Sequence, residues 1–236
     1  MNLAVVSMPT LQAIIFDFDG VIANTEPLHF AGLHQTLKEI GIELTEREYY
    51  AEYLGYDDRG CILAALTANR RPAESGTVER LMKRKAQAYL ESVTRHQVIF
   101  PGVPEFVREA ARSYPLAIAS GALRHEIEYI LESAGLRSMF AHITSAEDVT
   151  RGKPDPQPFL LTLKALQQHH PSLMPASCLV IEDSLPGIRS AGAAGMKVLA
   201  VANTHTVQDL HEAHAITHRF SEIRLADLKT RLWPAA

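Results

Sequence analysis

The sequence predicts an α/β protein built on a doubly wound parallel sheet. Short apolar runs recur along the chain, as the buried strands of a parallel sheet require. Amphipathic segments of helical period separate most of these runs, which is the βαβ alternation of a doubly wound fold. One long stretch, residues 26–97, has no strand pattern and is helical throughout. The expected architecture is therefore a sheet core that carries an inserted all-helical domain.

Each element of this prediction corresponds to a defined segment of the chain. The predicted strands are residues 11–16, 116–120, 142–145, 178–181 and 197–201. The helices expected between them are residues 104–113, 125–134, 156–168 and 186–195. Pro101, Gly102 and Pro104 mark the turn at which the chain re-enters the sheet after the helical stretch. We therefore predict a Rossmann-like core from residues 1–25 and 98–236, and a helical cap domain from residues 26–97.

Composition excludes several classes of function. Of the 236 residues, 47% are hydrophobic and 21% are charged, and the net charge of -4 comes without a long Lys/Arg run, so neither nucleic acid nor membrane is an expected partner. Cys61 and Cys178 have neither disulfide nor metal-ligand spacing and are expected to be buried. The first ten residues lack the features of a secretion signal and are expected to be an unstructured lead. We expect a cytoplasmic monomer or weak homodimer that acts on a small molecule.

The segment IIFDFDG contains the strongest chemical signal. It places Asp17 and Asp19 at the end of the first predicted strand, followed by Gly20. Ligands of open α/β sheets bind at the carboxyl ends of strands, and alternation along the strand would put both carboxylates on one face. Two such charges repel, which favours a bound divalent cation, and hard oxygen ligands favour Mg²⁺. Taken alone, the pair is more often a simple cap of the strand end and the next turn.

Three further polar elements lie at the ends of other predicted strands or in loops near those ends. Ser120 ends the second strand, Lys153 lies in the segment RGKPDPQPF, and Glu182 with Asp183 ends the strand that begins at residue 178. Together they offer a hydroxyl, a fixed cation and two more carboxylates. Phosphoryl transfer needs this set of groups to position the phosphate and stabilise its developing charge.

In this order and combination, the four elements resemble the motifs of the haloacid dehalogenase superfamily of phosphatases and mutases. The resemblance runs from about residue 11 to residue 200 and includes the helical insertion, which looks like that family's cap. The segment VIEDS is similar to the subfamily of β-phosphoglucomutase and many sugar phosphatases. The resemblance implies an enzyme acting on a small phosphorylated metabolite.

The resemblance also implies roles for the catalytic residues. Asp17 would attack phosphorus and form an aspartyl phosphate, which divides one displacement into two easier steps. Asp19 would protonate the leaving oxygen and later take a proton from the incoming water or alcohol. Ser120 and Lys153 would hold the oxygens of the transferring phosphoryl group.

A Mg²⁺ site is implied by the same resemblance. Its ligands would be a carboxylate oxygen of Asp17, the backbone carbonyl of Asp19 and the carboxylate of Asp183, while Glu182 would act through water. The remaining positions would go to water and substrate phosphate, as Mg²⁺ prefers.

Substrate-binding residues are expected in the cap and after Ser120, and the set is His29, Arg59, Lys85, Gly121 and Arg124. His29 could orient Asp19 or simply pack at the start of a helix. Arg59 is offset by one residue from the mutase's phosphate-binding arginine. Lys85 aligns with a mutase cap lysine, but it could equally belong to a solvated helix face. The segment GALR that follows Ser120 lacks the polar residues with which the mutase grips a second phosphate, which favours a phosphatase.

Several alternatives remain open from sequence. A mutase of the β-phosphoglucomutase kind is the close rival, and a catalytically silent module that binds a phosphorylated ligand is another. A dehalogenase is not expected, because that branch lacks the second aspartate. His211, His214 and His218 have the spacing of one helix face, which would allow a transition-metal site there. The resemblance implies instead a helix followed by a short final strand, with a change of direction near His214.

Overall fold

The computed structural model describes residues 9–53, 56, 58–93 and 98–234. Most of the predicted unstructured lead and residues 94–97, where the chain was expected to return to the sheet, lie outside these ranges. The chain divides into two compact units: Met1–Asn24 with Ile99–Ala236, and Thr25–Val98. None of the helices in the described ranges has the length and apolar character that crossing a bilayer requires.

The first unit contains a six-stranded parallel sheet. In chain order the strands are β1 Ala13–Phe16, β2 Leu116–Ala119, β3 Phe140–Thr144, β4 Cys178–Glu182, β5 Lys197–Val201 and β6 Ala215–Thr217. Their order in the sheet is β3-β2-β1-β4-β5-β6, with Phe16 level with Ile118 on one side and Ile181 on the other. The order reverses direction between β1 and β4, and such a switch point opens a crevice at the carboxyl ends of the strands.

The described regular elements of the second unit are all helical and are joined by turns and loops. It contains α1 Glu26–Lys38, α2 Glu46–Glu48, a π-helical turn Tyr49–Tyr53, α3 Asp58–Ala68 and α4 Ser75–Val93. Its core is an apolar cluster that includes Leu33, Leu37, Ile62 and Leu66. A Cβ added at Gly32 would lie only 3.4 Å from backbone atoms of α4, so a glycine at this position allows α1 and α4 to approach closely.

The described residues of the sheet unit also form five α-helices: α5 Val103–Ala111, α6 Arg124–Ser133, α7 Gln157–Leu166, α8 Leu185–Ala193 and α9 Leu225–Leu232. All four residues of β1 are buried because both of its faces are covered. Ala13 and Ile15 belong to an apolar cluster that includes Phe159 of α7 and Ile188 of α8. On the other side, the Phe16 ring contacts Phe106 of α5 and Phe140. The predicted α/β fold class is confirmed.

The segment between β5 and β6 differs from the expectation. Residues 206–213 form turns, so the helix expected before the final strand is not found, and His211, His214 and His218 share no helix face. Thr206 and Asp209 exchange hydrogen bonds between their backbone and side chains, the arrangement of a capping box, but only turns follow it. The expected change of direction is confirmed, since β6 begins directly after His214. His214 Nδ1 accepts a hydrogen bond from the Val198 amide.

Candidate active site

The carboxyl ends of β1 and β4 bring the predicted acidic residues together. Asp17 directly follows β1, and its amide donates a hydrogen bond to the Ile181 carbonyl of β4 at 2.9 Å. Glu182 is the last residue of β4 and Asp183 comes next. Oxygens of Asp17, Glu182 and Asp183 all lie within 4.8 Å of one another. The acidic cluster therefore lies at the switch point of the sheet.

Lys153 supplies positive charge to this cluster. Its Nζ lies 2.7 Å from Asp17 Oδ1 and 2.7 Å from Glu182 Oε1. Burial alone would lower the pKa of Lys153, but the two carboxylates outweigh burial and raise it. The ammonium group is thus held protonated beside Asp17. Lys153 lies in the loop before α7, where a cis peptide bond joins it to Pro154.

The cluster carries more negative charge than Lys153 can balance. Burial raises the pKa of Asp17, and the charges of Glu182 and Asp183 add to this effect while Lys153 opposes it. Burial also raises the pKa of Asp183 to about 6, again with a contribution from Glu182. Buried carboxylates that repel one another are stabilised by a further cation.

Glu182 is fully buried, and the structure fixes its orientation. Its Oε2 accepts hydrogen bonds from the Asp183 amide and from the amide and hydroxyl of Ser184. A Cβ on Gly187 would lie 1.7 Å from Glu182 Oε1, so a side chain in the first turn of α8 would displace the carboxylate. Glu182 therefore has one face anchored to backbone and the other directed at Lys153.

The turn after Asp17 requires a glycine. Phe18 O accepts hydrogen bonds from the amides of Ile22 and Ala23, which folds the chain back at Gly20. Gly20 has a φ of +74°, and a Cβ there would lie 1.9 Å from Asp183 Oδ2. The Asp19 side chain is half-buried in this turn. The close approach of the turn to Asp183 depends on the absence of a side chain at position 20.

Ser120 lies at the same edge of the sheet. It directly follows β2, the neighbour of β1, and it is buried. Its amide donates to the Thr144 carbonyl, and its hydroxyl oxygen accepts a hydrogen bond from the Ala122 amide at 3.1 Å. The structure thus places all six residues of the predicted core motifs at or near the carboxyl ends of the strands.

The two candidates after Ser120 differ in their surroundings. Gly121 is exposed with open space around it. Arg124 is already engaged, because its Nη2 lies 2.5 Å from Asp148 Oδ2 and 3.0 Å from the Ile143 carbonyl. A substrate phosphate would have to compete with Asp148 for this guanidinium group.

The remaining candidates lie in the helical unit. Lys85 is 1% exposed, so its assignment to a solvated helix face is wrong. Its Nζ donates to His29 Nδ1 at 2.7 Å and lies 2.6 Å from Asp58 Oδ1. Burial lowers the pKa of His29 to about 3, and the Lys85 charge adds to the effect. Arg59, in contrast, is exposed.

Sequence reasoning missed two groups of functional interest. Asp58, which forms an ion pair with Lys85, lies one residue before Arg59, the residue that the sequence analysis singled out. Asn203 and Thr204 follow β5 and contact Gly20 and Asp183 respectively. Asn203 and Thr204 could have been found by the signal that found Asp17, namely polar residues just beyond the carboxyl end of a predicted strand. Asp58 lies in the helical unit, where no such signal exists.

The donor set fits a hard divalent cation. Three carboxylates converge within 4.8 Å, and their charge exceeds that of Lys153. Oxygen donors of this kind suit Mg²⁺, which takes a few carboxylates and completes its shell with water. Within the ranges that the structure describes, no other group of three acidic, histidine or cysteine side chains meets this distance, including the histidines at 211–218.

The sequence of this chain is similar to those of known proteins. Residues 14–201 match the model of a family described as haloacid dehalogenase-like hydrolase. Protein CbbY from Rhodobacter capsulatus is 29% identical over 214 residues, covering 84% of this chain and 88% of CbbY. The phosphorylated carbohydrates phosphatase of Thermotoga maritima is 28% identical over 191 residues, covering 79% of this chain and 83% of that protein.

Longer relatives and solved structures also match this chain. Two relatives from Arabidopsis thaliana are longer proteins, of which this chain spans 19% and 56%. Among solved structures, the β-phosphoglucomutase of Clostridium difficile superimposes with a TM-score of 0.78 over 94% of this chain and 97% of that chain. The two sequences are 20% identical, so this likeness concerns the fold.

Proposed function

Since this chain belongs to the haloacid dehalogenase-like hydrolase family, we propose that it is a magnesium-dependent phosphatase for a small phosphorylated carbohydrate. The observation that carries the proposal is the position of Asp17, held at the switch point beside Lys153 Nζ at 2.7 Å and next to two further carboxylates. A T. maritima relative named as a phosphatase of phosphorylated carbohydrates supports the substrate class.

In the proposed reaction, Asp17 acts as the nucleophile. Its carboxylate attacks phosphorus, the bond to the leaving oxygen breaks, and an aspartyl phosphate forms. Lys153, at 2.7 Å from Asp17 Oδ1, neutralises part of the charge that gathers on the phosphoryl oxygens. Ser120, at the end of the neighbouring strand, donates its hydroxyl to the same oxygens.

Asp19 acts as the proton donor and acceptor. In the first step it protonates the leaving oxygen of the carbohydrate. In the second step it removes a proton from the water that attacks phosphorus, while the bond between phosphorus and Asp17 breaks and phosphate is released. Asp19 lies in the same turn after β1 as the proposed nucleophile, Asp17.

A bound Mg²⁺ would supply charge that lets Asp17 and a phosphate approach one another. The residues proposed to hold it are Asp17 and Asp183 by their carboxylates, Asp19 by its backbone carbonyl and Glu182 through water. The raised pKa values of Asp17 and Asp183 support this assignment, because burial and repulsion leave these carboxylates in need of a counter-charge.

Hydrolysis is favoured over phosphoryl transfer within a bisphosphate. Gly121, Ala122 and Leu123 offer no polar side chain to a second phosphate, and Arg124 is held by Asp148. In the helical unit, the charge of Lys85 is balanced by Asp58. We propose that this unit, Thr25–Val98, selects the substrate, and that the cytoplasmic enzyme is a monomer or weak homodimer.

A screen of phosphorylated carbohydrates tests the proposal. Purified protein is incubated with sugar and sugar-alcohol phosphates in Mg²⁺, and free phosphate is measured. We expect phosphate release that is lost after chelation, restored by Mg²⁺ and inhibited by Ca²⁺, whose looser shell would misplace Asp17.

Asp17→Asn is the inactive control, and Asp155→Asn, outside the acidic cluster, is the matched control. Conversion of β-glucose 1-phosphate to glucose 6-phosphate without phosphate release would indicate the mutase. Full activity in the metal-stripped protein would contradict the metal requirement, and no turnover of any phosphate ester would favour a silent binding module.

A further inference from the structure

The segment that follows β5 contacts both loops of the acidic cluster. Asn203 Nδ2 donates a hydrogen bond to the Gly20 carbonyl at 2.8 Å, although the two residues are 183 positions apart. The next residue, Thr204, donates its hydroxyl hydrogen to Asp183 Oδ2. Two consecutive side chains therefore connect the turn after Asp17 to the carboxylate that follows β4.

The backbone of this segment is hydrogen-bonded to the ends of β5 and β6. The Ala202 amide donates to the Thr217 carbonyl of β6, and the Asn203 amide donates to the Val201 carbonyl, both at 2.9 Å. Thr204 Oγ1 also lies 2.9 Å from His205 Nδ1. When the hydroxyl donates to Asp183, its oxygen is free to accept from a protonated Nδ1. The hydroxyl is thus directed by its neighbours on both sides.

The contacts matter because the geometry between the two loops is tight. Gly20 packs so closely on Asp183 Oδ2 that a Cβ would lie 1.9 Å away. Because Thr204 donates to Asp183 Oδ2, Oδ1 is the Asp183 oxygen that remains for a cation held by the acidic cluster. A shift of either loop would change the distance between Asp183 and the backbone of the turn that carries Asp19.

We propose that Asn203 and Thr204 are positioning residues for the divalent-cation site, Thr204 by orienting the Asp183 carboxylate and Asn203 by fixing the turn at Gly20. The inference rests on the proposed function, which supplies the Mg²⁺ site. Mg²⁺ demands near-octahedral geometry, and partners that orient its ligands typically contribute about 10- to 100-fold in metal affinity.

The test measures binding of the metal alone. MgCl₂ is titrated into metal-stripped protein by calorimetry for wild type, Thr204→Val and Asn203→Ala. We expect the Kd for Mg²⁺ to rise about 10- to 100-fold in Thr204→Val and by a smaller factor in Asn203→Ala. The Mg²⁺ concentration for half-maximal phosphatase activity should rise by the same factors.

Two further variants make the comparison specific. Thr206→Val removes a hydroxyl from the same segment, but that hydroxyl bonds to exposed Asp209, so its Kd should equal that of wild type. Thr204→Ser keeps the hydroxyl and should restore wild-type affinity, even if Thr204→Val proves poorly folded. An unchanged Kd in Thr204→Val or Asn203→Ala, or a weakened Kd in Thr204→Ser, would overturn the assignment of that residue.

The outcomes separate this inference from the proposed function. If wild-type protein binds Mg²⁺ and releases phosphate but Thr204→Val binds as tightly, only the positioning role fails. If wild type is fully active when stripped of metal, the Mg²⁺ site itself fails, and the inference fails with it.

Discussion

Asp19 illustrates how a single residue can separate two explanations of catalysis. Asp19 shares a short turn with Asp17, but its proposed role is proton transfer, whereas Asp17 is the proposed nucleophile. A carboxylate that merely tunes the local charge would affect all substrates alike. A proton donor would matter most for a leaving group that needs a proton.

We predict that Asp19→Asn slows phosphoryl transfer from a carbohydrate phosphate by about 100- to 10,000-fold, the usual range for general acid catalysis. The first step with p-nitrophenyl phosphate should be slowed less, because nitrophenolate leaves without a proton. Rapid-quench measurement of phosphoenzyme formation on both substrates checks this. An equal loss on both would remove Asp19 from the acid role.

At this scale, the sequence predicted which side chains lie at the sheet edge but not their partners. Asp17, Glu182 and Asp183 are found because they lie at or directly after the carboxyl ends of buried strands. The pairing of Arg124 with Asp148 and of Lys85 with Asp58 depends on tertiary packing between distant segments. No local pattern encodes such contacts, so the fixed state of Arg124 and Lys85 was not predictable.

In the helical unit, His29 of α1 contacts two residues of α4, Tyr89 and Lys85. The His29 ring packs on Tyr89 of α4 and accepts a hydrogen bond from the buried Lys85 ammonium. A protonated imidazole would face this positive charge, although Asp58 pairs with Lys85. The pKa of His29 is accordingly lowered from 6.5 to about 3, first by burial and then by Lys85.

This shift predicts a pH dependence of stability. Below pH 6.5 the unfolded chain takes up a proton at His29 that the folded chain does not bind. The stabilisation is therefore fully present above about pH 6.5 and is lost as the pH falls towards 3. Between pH 6.5 and 5 the loss should be about 2 kcal/mol in the free energy of unfolding.

Urea unfolding at these two pH values, followed by helical circular dichroism, provides the measurement. The difference in unfolding free energy should shrink by about that amount in His29→Gln and stay as in wild type in His125→Gln, whose side chain is exposed on α6. A wild-type pH dependence in His29→Gln would show that the imidazole titrates normally in the folded protein.

Element boundaries were predictable to the extent that periodicity was strong. The predicted helix at residues 125–134 is found as Arg124–Ser133, and the strand at residues 197–201 is found as Lys197–Val201. β6, with three residues, is too short to give a periodic signal. The turns at residues 206–213 were not predictable, because Thr206 and Asp209 form the capping-box hydrogen bonds that usually mark the start of a helix.

For the molecule as a whole, one topological feature links fold to function. The strand order β3-β2-β1-β4-β5-β6 places β1 and β4 side by side, so residues far apart in sequence meet at one switch point. Alternating apolar runs and amphipathic helices were enough to predict this class of sheet. The substrate was not predictable, because the proposed function assigns its selection to side chains of the helical unit whose chemistry follows no shared pattern.

The central claim is that Asp17 becomes phosphorylated during turnover. Wild-type protein is mixed with Mg²⁺ and p-nitrophenyl phosphate, quenched in acid during the steady state, and digested for mass spectrometry. We predict one phosphoryl group on the peptide that carries Asp17, released by hydroxylamine as expected for an acyl phosphate and absent from Asp17→Asn. Steady turnover with no phosphoryl group on Asp17, or with one on Ser120 in its place, would contradict the account.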